Sequence, residues 1–543
     1  MSELQPTNEQ RPAIDYEGSL VAIAKPGSGK TFVLSRKIQG VLQLLPSHRG
    51  VVAISFTNKA SEELRHRSAG TGVDLKSSFF GTIDRFCIGE IIIPFLPHIW
   101  GTPSAEIEIA RIKDLPNEER EEFELLEDAV LTLDVLETLV PQLKTRFLKG
   151  QLFLDTVGTL ALYTIINSAA CQRYLQVRYT HIIIDEYQDS GLAQHELFMQ
   201  LHSLGLVAIA VGDADQSIYG FSNKDSKYLL SLAGNPDFKT FPITLNHRCH
   251  PSIINYSLRF LDPQSSLMQT DRICVYYKSC EGNVAAIASW IDSVLPQLKA
   301  EFNVEHAKQI GILVRANLTG VLMNNSLTVK HRLVHPHPLE ENTSLWGSIF
   351  CELLRYRFDD QNTVQEIIDR HNFGLTSHEI AEARKHIKAV RSCAEDALFN
   401  QMENAVSILL PNANKDAPVA SLRASSIDEL KRSFAPAQDD EVQIMTIHKS
   451  KGLEFDLVFH LDLLEWVLPR KLPGANNDFD NPIYPELEQD RNLHYVGITR
   501  ARKLCVLCTS TRRTNSQNQE KVGRPSEVFH GNGLEQLRLV CPI

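Results

Sequence analysis

No run of this sequence approaches the ~20 consecutive apolar residues needed to cross a bilayer. The stretch Ile91 to Leu96 is soon broken by Pro97 and His98. Met1 to Gln10 is polar and lacks the charged-then-apolar layout of a signal peptide, so a cytoplasmic protein is expected. The ten cysteines have no framework of spacings, which argues against a disulfide scaffold and fits a reducing compartment. Cys505 and Cys508 are the only close pair. Zinc would need a second pair or nearby histidines, and Leu504, Val506 and Leu507 read as a buried strand, so both thiols are expected in the core. An excess of positive charge is also missing. The net charge of −11 excludes a chain coated in basic surface, although a local groove sets the field that a ligand meets. There is no internal repeat.

What is present is ordinary globular material, 43% hydrophobic and 22% charged over 543 residues. That length suggests roughly three to four domains. Gly18 to Ala24 reads as a buried strand, Thr31 to Leu45 as a helix and Val51 to Phe56 as a second strand. Ile182 to Ile184 and Leu206 to Val211 extend the pattern after a helical, acidic interruption near Gly89 to Val177. Short apolar runs alternating with helices mark a parallel sheet. The run Glu118 to Glu122 reads as a solvated helix face. A second α/β unit opens near Ile273 and resumes at Val442, with another helical insertion between. There Thr376 with Glu379, and Ser426 with Glu429, have capping-box spacing, while Pro411 to Pro418 and Pro436 to Asp440 are linker-like.

Ala24-Lys25-Pro26-Gly27-Ser28-Gly29-Lys30-Thr31 fits a phosphate loop with Ala in place of the first Gly. Its glycines let backbone N–H groups curl around phosphates, Lys30 reaches the β and γ groups, and the Thr31 hydroxyl is a Mg²⁺ ligand. The following helix points its positive end at the anion. The strand ending Ile184-Asp185-Glu186 delivers two carboxylates to a sheet edge. Asp185 would hold Mg²⁺, through water or with Thr31, and Glu186 would orient and deprotonate the attacking water. Gln216, after the next strand, suits a γ-phosphate sensor because an amide does not compete for the metal. The expected reaction is therefore hydrolysis of a nucleoside triphosphate.

Together these motifs resemble the UvrD/Rep/PcrA-type superfamily 1 helicases, in order over nearly the whole chain. Asn8-Glu9-Gln10-Arg11 resembles the N-terminal Gln motif, which gives Gln10 the base. Ser55-Phe56-Thr57-Asn58-Lys59-Ala60 and Gly81-Thr82-Ile83-Asp84-Arg85-Phe86 resemble the single-strand contact motifs, and Gln216 to Phe221 the third motif. Thr446 to Phe455 and Tyr495 to Ala501 resemble the last two. The resemblance implies an α/β fold of two RecA-like parallel-sheet P-loop domains, each interrupted by a mostly helical insertion. The first domain, 1A, would span 1–88 and 178–245, with insertion 1B at 89–177. The second, 2A, would span 246–343 and 436–543, with a reduced insertion 2B at 344–435.

The resemblance further implies ATP, possibly other nucleoside triphosphates, with Mg²⁺. Ala24 to Thr31, Gln10 and Glu454 would hold the nucleotide, and Arg248 and Arg500 would be arginine fingers joining Lys30, Glu186 and Gln216 in catalysis. Phe56, Thr57, Asn58, Thr82, Tyr219, Phe221, Thr446 and His448 would meet DNA. Phe56, Tyr219 and Phe221 would be stacking platforms, with core packing the equal alternative for Phe56. His247, Asp84 and Ser222 depart from the usual Tyr, His and Arg, which thins the DNA track. The compact length, with Ser78 to Phe86 and Glu90 to Phe95, resembles the helicase-like GajB subunits of Gabija anti-phage systems. That narrower likeness implies a GajA-like nuclease partner with Toprim and ATPase-like domains, activated when the chain senses DNA ends or single strands. The alternative is a free-standing 3′→5′ repair or recombination helicase.

Overall fold

A computed structural model describes residues 5–70, 72–105, 107–126, 131–218, 225–335, 337–341, 344–359, 363–371, 375–410, 415–515, 517–531 and 533–541. Two parallel sheets lie within one compact unit, Met1–Phe86 with Ala170–Leu333 and Gln438–Ile543. The strands of the first are β1 (Leu20–Ala24), β2 (Gly50–Ile54), β3 (Phe79–Gly81), β4 (Tyr179–Ile184), β5 (Val207–Gly212) and β6 (Lys239–Ile243), in the order β3-β2-β4-β5-β1-β6. Those of the second are β7 (Val275–Cys280), β8 (Ile310–Val314), β9 (His331–Leu333), β10 (Val442–Thr446), β11 (Phe455–His460), β12 (Ala501–Ser510) and β13 (Leu539–Val540), in the order β9-β10-β8-β11-β12-β7-β13. Every strand pairing within these two sheets is parallel.

β2, β8 and β11 are buried at every position, so β2 and β8 read as near-continuous hydrophobic runs, while β11 also buries Asp456 and His460. Cys505 and Cys508 lie buried in β12, and no cluster of metal-binding side chains occurs among the described residues. No helix among the described residues is long and apolar enough to cross a membrane.

A second compact unit comprises Cys87–Ala169 and Val334–Ala437. In its first segment, helices Val140–Leu148 and Val157–Asn167 accompany a small parallel pair, Glu108–Ala110 with Gln151–Phe153. The acidic run there is more than a solvated face: Arg146 bonds Glu119 at 2.5 Å and Glu122 at 3.2 Å. In the second segment Trp346, Phe350, Leu354, Ile387 and Met402 fill a core between helices. Thr376 and Glu379 form the full capping box, and Ser426 caps the Glu429 N–H. Pro418 corrects the linker reading. It sits in the first turn of helix Asp416–Ala424, where no backbone N–H is needed, and residues 411–414 lie outside the described residues.

Candidate active site

The phosphate loop leaves β1 at the C-terminal edge of the first sheet and ends in helix Lys30–Leu44. Gly27 and Gly29 hold φ of +68° and +81°, which a side chain would strain. A Cβ on Gly27 would stand 2.5 Å from Asn246 Oδ1, and one on Gly29 2.8 Å from Gln10 Nε2. Gln10 is buried, accepts from the Thr7 N–H and donates to the Ser28 carbonyl at 2.8 Å, so here its amide braces the loop. The buried Ser28 hydroxyl has no partner among the described residues. An orphan donor, two positive-φ glycines and a helix N-terminus suit a polyphosphate.

Two carboxylates follow β4. The Asp185 N–H donates to the Ile54 carbonyl at 2.9 Å, and Asp185 itself accepts from the Glu186 N–H. Glu186 sits in the left-handed region at φ +53°, 3.6 Å from Lys30 Nζ, and accepts from Gln188 Nε2 at 2.6 Å. Burial and the neighbouring Glu186 charge raise the Asp185 carboxyl. Burial pushes Glu186 up as well, but the ammonium groups of Lys30 and Lys451 outweigh it and hold this carboxyl low. One carboxyl is poised for a cation and the other stays ionised. Asp185 with the Thr31 hydroxyl is a hard-oxygen donor set of the kind Mg²⁺ takes.

The second sheet closes the site. Arg500 is almost wholly buried and spends its guanidinium on the Val496 and Leu453 carbonyls and, at 3.1 Å, on Gln216 Oε1. Gln216 in turn donates to Asp213 Oδ2 at 2.8 Å. Burial and the adjacent Arg248 charge bring Arg500 down to about 10, still protonated at neutral pH. Arg248 is fixed by an Asn246 side chain that accepts from the backbone N–H groups of Arg248 and Cys249 at 2.7 and 2.9 Å. Its guanidinium meets Glu454 at 2.8 Å, and Arg502 reaches the same carboxylate at 3.4 Å. Glu454 therefore faces an arginine pair in this structure. The Lys25 ammonium pairs with Asp213 and Asp215.

The described residues expected at DNA lie at or just beyond strand ends. Phe56 is 38% exposed after β2, which removes core packing as its explanation. The Thr57 hydroxyl caps helix Asn58–Ala69 by accepting from the Ala60 N–H. Thr82 opens the turn into Phe86 through its carbonyl. Thr446 ends β10, and burial, followed by the Arg315 charge, brings His448 down to about 4, so its ring is neutral near pH 7. Tyr219, Phe221 and Ser222, and the Asn58 side chain, lie outside the described residues.

Lys451 was not singled out from sequence, although it stands inside Thr446 to Phe455. Its ammonium donates to Asp189 Oδ2 at 2.5 Å and to the Gln216 carbonyl at 2.9 Å. Asn492 adds a bond to the Ser217 carbonyl at 3.0 Å. Glu9 was also missed. It accepts from the Thr244 and Leu245 N–H groups and so anchors the approach to Arg248. The motif lysine was the only available signal, since partners hundreds of residues away carry no local mark.

Residues 10–222 match a AAA domain, and residues 359–512 match the UvrD-like helicase C-terminal domain. The chain is 28% identical over 504 residues to the Gabija protein GajB of Bacillus cereus, covering 90% of this chain and 93% of that one. It is 24% identical to DNA helicase II of Rickettsia typhi over 616 aligned positions, covering 92% and 90%. Against the ATP-dependent DNA helicase PcrA of Leuconostoc citreum the identity is 22% over 626 positions, covering 93% and 82%.

Proposed function

Since this chain is a helicase of the UvrD type, we propose that it is a DNA-dependent nucleoside triphosphatase serving as the helicase-like subunit of an anti-phage defence complex. It senses DNA ends or single strands and activates a partner nuclease of the GajA kind, with Toprim and ATPase-like domains. The observation that carries the reading is the loop Thr446 to Glu454. It bears two expected DNA contacts at one end, while Lys451 and Glu454 bond to the loops of the nucleotide site at the other.

The chemistry follows from where charge develops. Lys30 and the loop N–H groups hold the β and γ phosphates, Glu186 takes the proton of the attacking water, and Gln216 senses the γ group. Mg²⁺, held by Thr31 and Asp185, would neutralise charge between the β and γ phosphates. Arg248 and Arg500 meet the charge that spreads over the γ oxygens. DNA that moves the loop repositions these groups together, which ties turnover to the nucleic acid.

The likeness to GajB over 90% of the chain favours the defence role, and the DNA helicases of similar coverage favour a free-standing 3′→5′ helicase. ATP hydrolysis with and without single-stranded DNA tests the common core. Strong stimulation is expected, with a loss of ~10² or more in Lys30→Ala and Glu186→Ala. Equal rates with and without DNA across a range of lengths would sink it. Processive unwinding of long duplexes by the isolated chain, with no nuclease gene beside it, would favour the repair helicase.

A further inference from the structure

Between β11 and helix Leu487–Thr499 the chain makes an antiparallel hairpin, Leu472–Gly474 with Asp478–Ile483. Isolated two-stranded hairpins are marginal in water, so this one needs anchors. At its base Lys471 pairs with Glu465 at 3.3 Å and Glu527 at 3.2 Å, and its ammonium lies over the Tyr484 ring. Leu472 is the cross-strand partner of Ile483, and Phe479 stands beside the second pair, Gly474 with Asp478, after a shift of register. Phe479 is 62% exposed, Ile483 55% and Leu472 41%, and Tyr484 and Leu487 just beyond are exposed as well. Among the described residues, the one ring that meets Phe479 is Trp466, at 5.6 Å between centroids. Single exposed apolar residues are ordinary, but five within one short segment mark an interaction site.

The charges around this face decide what covers it. From Leu472 to Gln489 there is no Lys or Arg, while Asp478, Asp480, Glu486 and Glu488 are present, and the one cation beside Tyr484 named above, Lys471, is matched by Glu465 and Glu527. A phosphate backbone would be repelled by such a rim. A second copy docking the same face symmetrically would set these carboxylates against themselves. We infer that the hairpin is the docking site for a different protein, one presenting an apolar groove rimmed by lysine and arginine. Resting on the reading above, that protein is the partner nuclease.

The test titrates purified Toprim-domain nuclease encoded beside this chain against full-length protein, using calorimetry and sedimentation. The expected result is a complex weakened at least tenfold by Phe479→Ser with Ile483→Ser, and also weakened by Asp480→Lys with Glu488→Lys, while DNA-stimulated hydrolysis is unchanged. Unaltered affinity in both variants overturns the inference and leaves the proposed function standing. No complex with the unsubstituted chain overturns the partner reading and the inference with it. A homodimer dissolved by the same substitutions, or loss of DNA affinity in the serine variant, assigns the face elsewhere and overturns it too.

Discussion

Arg500 is buried against backbone carbonyls and Gln216, so its position is set before any phosphate arrives. A preorganised guanidinium acts on the transition state more than on substrate affinity. Arg500→Ala is expected to lower kcat by ~10³ with KM changed far less, as measured by steady-state ATP hydrolysis at saturating DNA. A matching rise in KM with kcat intact would assign the residue to ground-state binding. Most of this chemistry was legible in the sequence because the phosphate loop and Asp185-Glu186 follow strands directly. The side-chain partners of Lys25 were not legible, since a loop position says nothing about Asp213 and Asp215, which meet it from β5's end.

Among elements, the Thr446 to Glu454 loop carries the argument for coupling. Lys451→Met removes the bonds to Asp189 and the Gln216 carbonyl while leaving the phosphate loop and Arg500 in place. It should keep DNA-free hydrolysis within a few-fold and cut the DNA-stimulated increment by tenfold or more, a split that two assays per variant resolve. Helices of the second unit present a separate case. The buried Glu352 accepts from Arg370 at 2.9 Å and His371 at 3.1 Å. Burial alone would raise its carboxyl, yet His371 and Arg370 bring it from 4.5 down to about 2. A depressed folded value stabilises above the unfolded one, so the contribution of about 3 kcal/mol is present at neutral pH and is lost as pH falls from 4.5 toward 2. Glu352→Gln should therefore lower the denaturant midpoint of the helical insertion at pH 7, and the difference should close across that acid window. Helix starts in this region were legible from Thr376 and Ser426. The triad was not, because three residues spread over two helices share no sequence spacing.

At the scale of the whole molecule, parallel strands and alternating helices were readable as two sheets, whereas strand order was not. Apolar runs announce burial but do not name neighbours. That order has a consequence in time. β1 is flanked by β5 and β6, so once made it has both partners only after residue 243 has been made. At ~5–20 residues per second, this is a wait of roughly 10–45 s with an apolar strand uncovered. The helices of the first insertion make local contacts and can form meanwhile, since loop closure weighs least on near neighbours. The second sheet repeats the problem, because β7 acquires its neighbours β12 and β13 only after residues 510 and 540 have been made. A nascent chain of this design depends on being shielded while it grows, and its yield in a cell is set as much by that escort as by the stability of the finished fold.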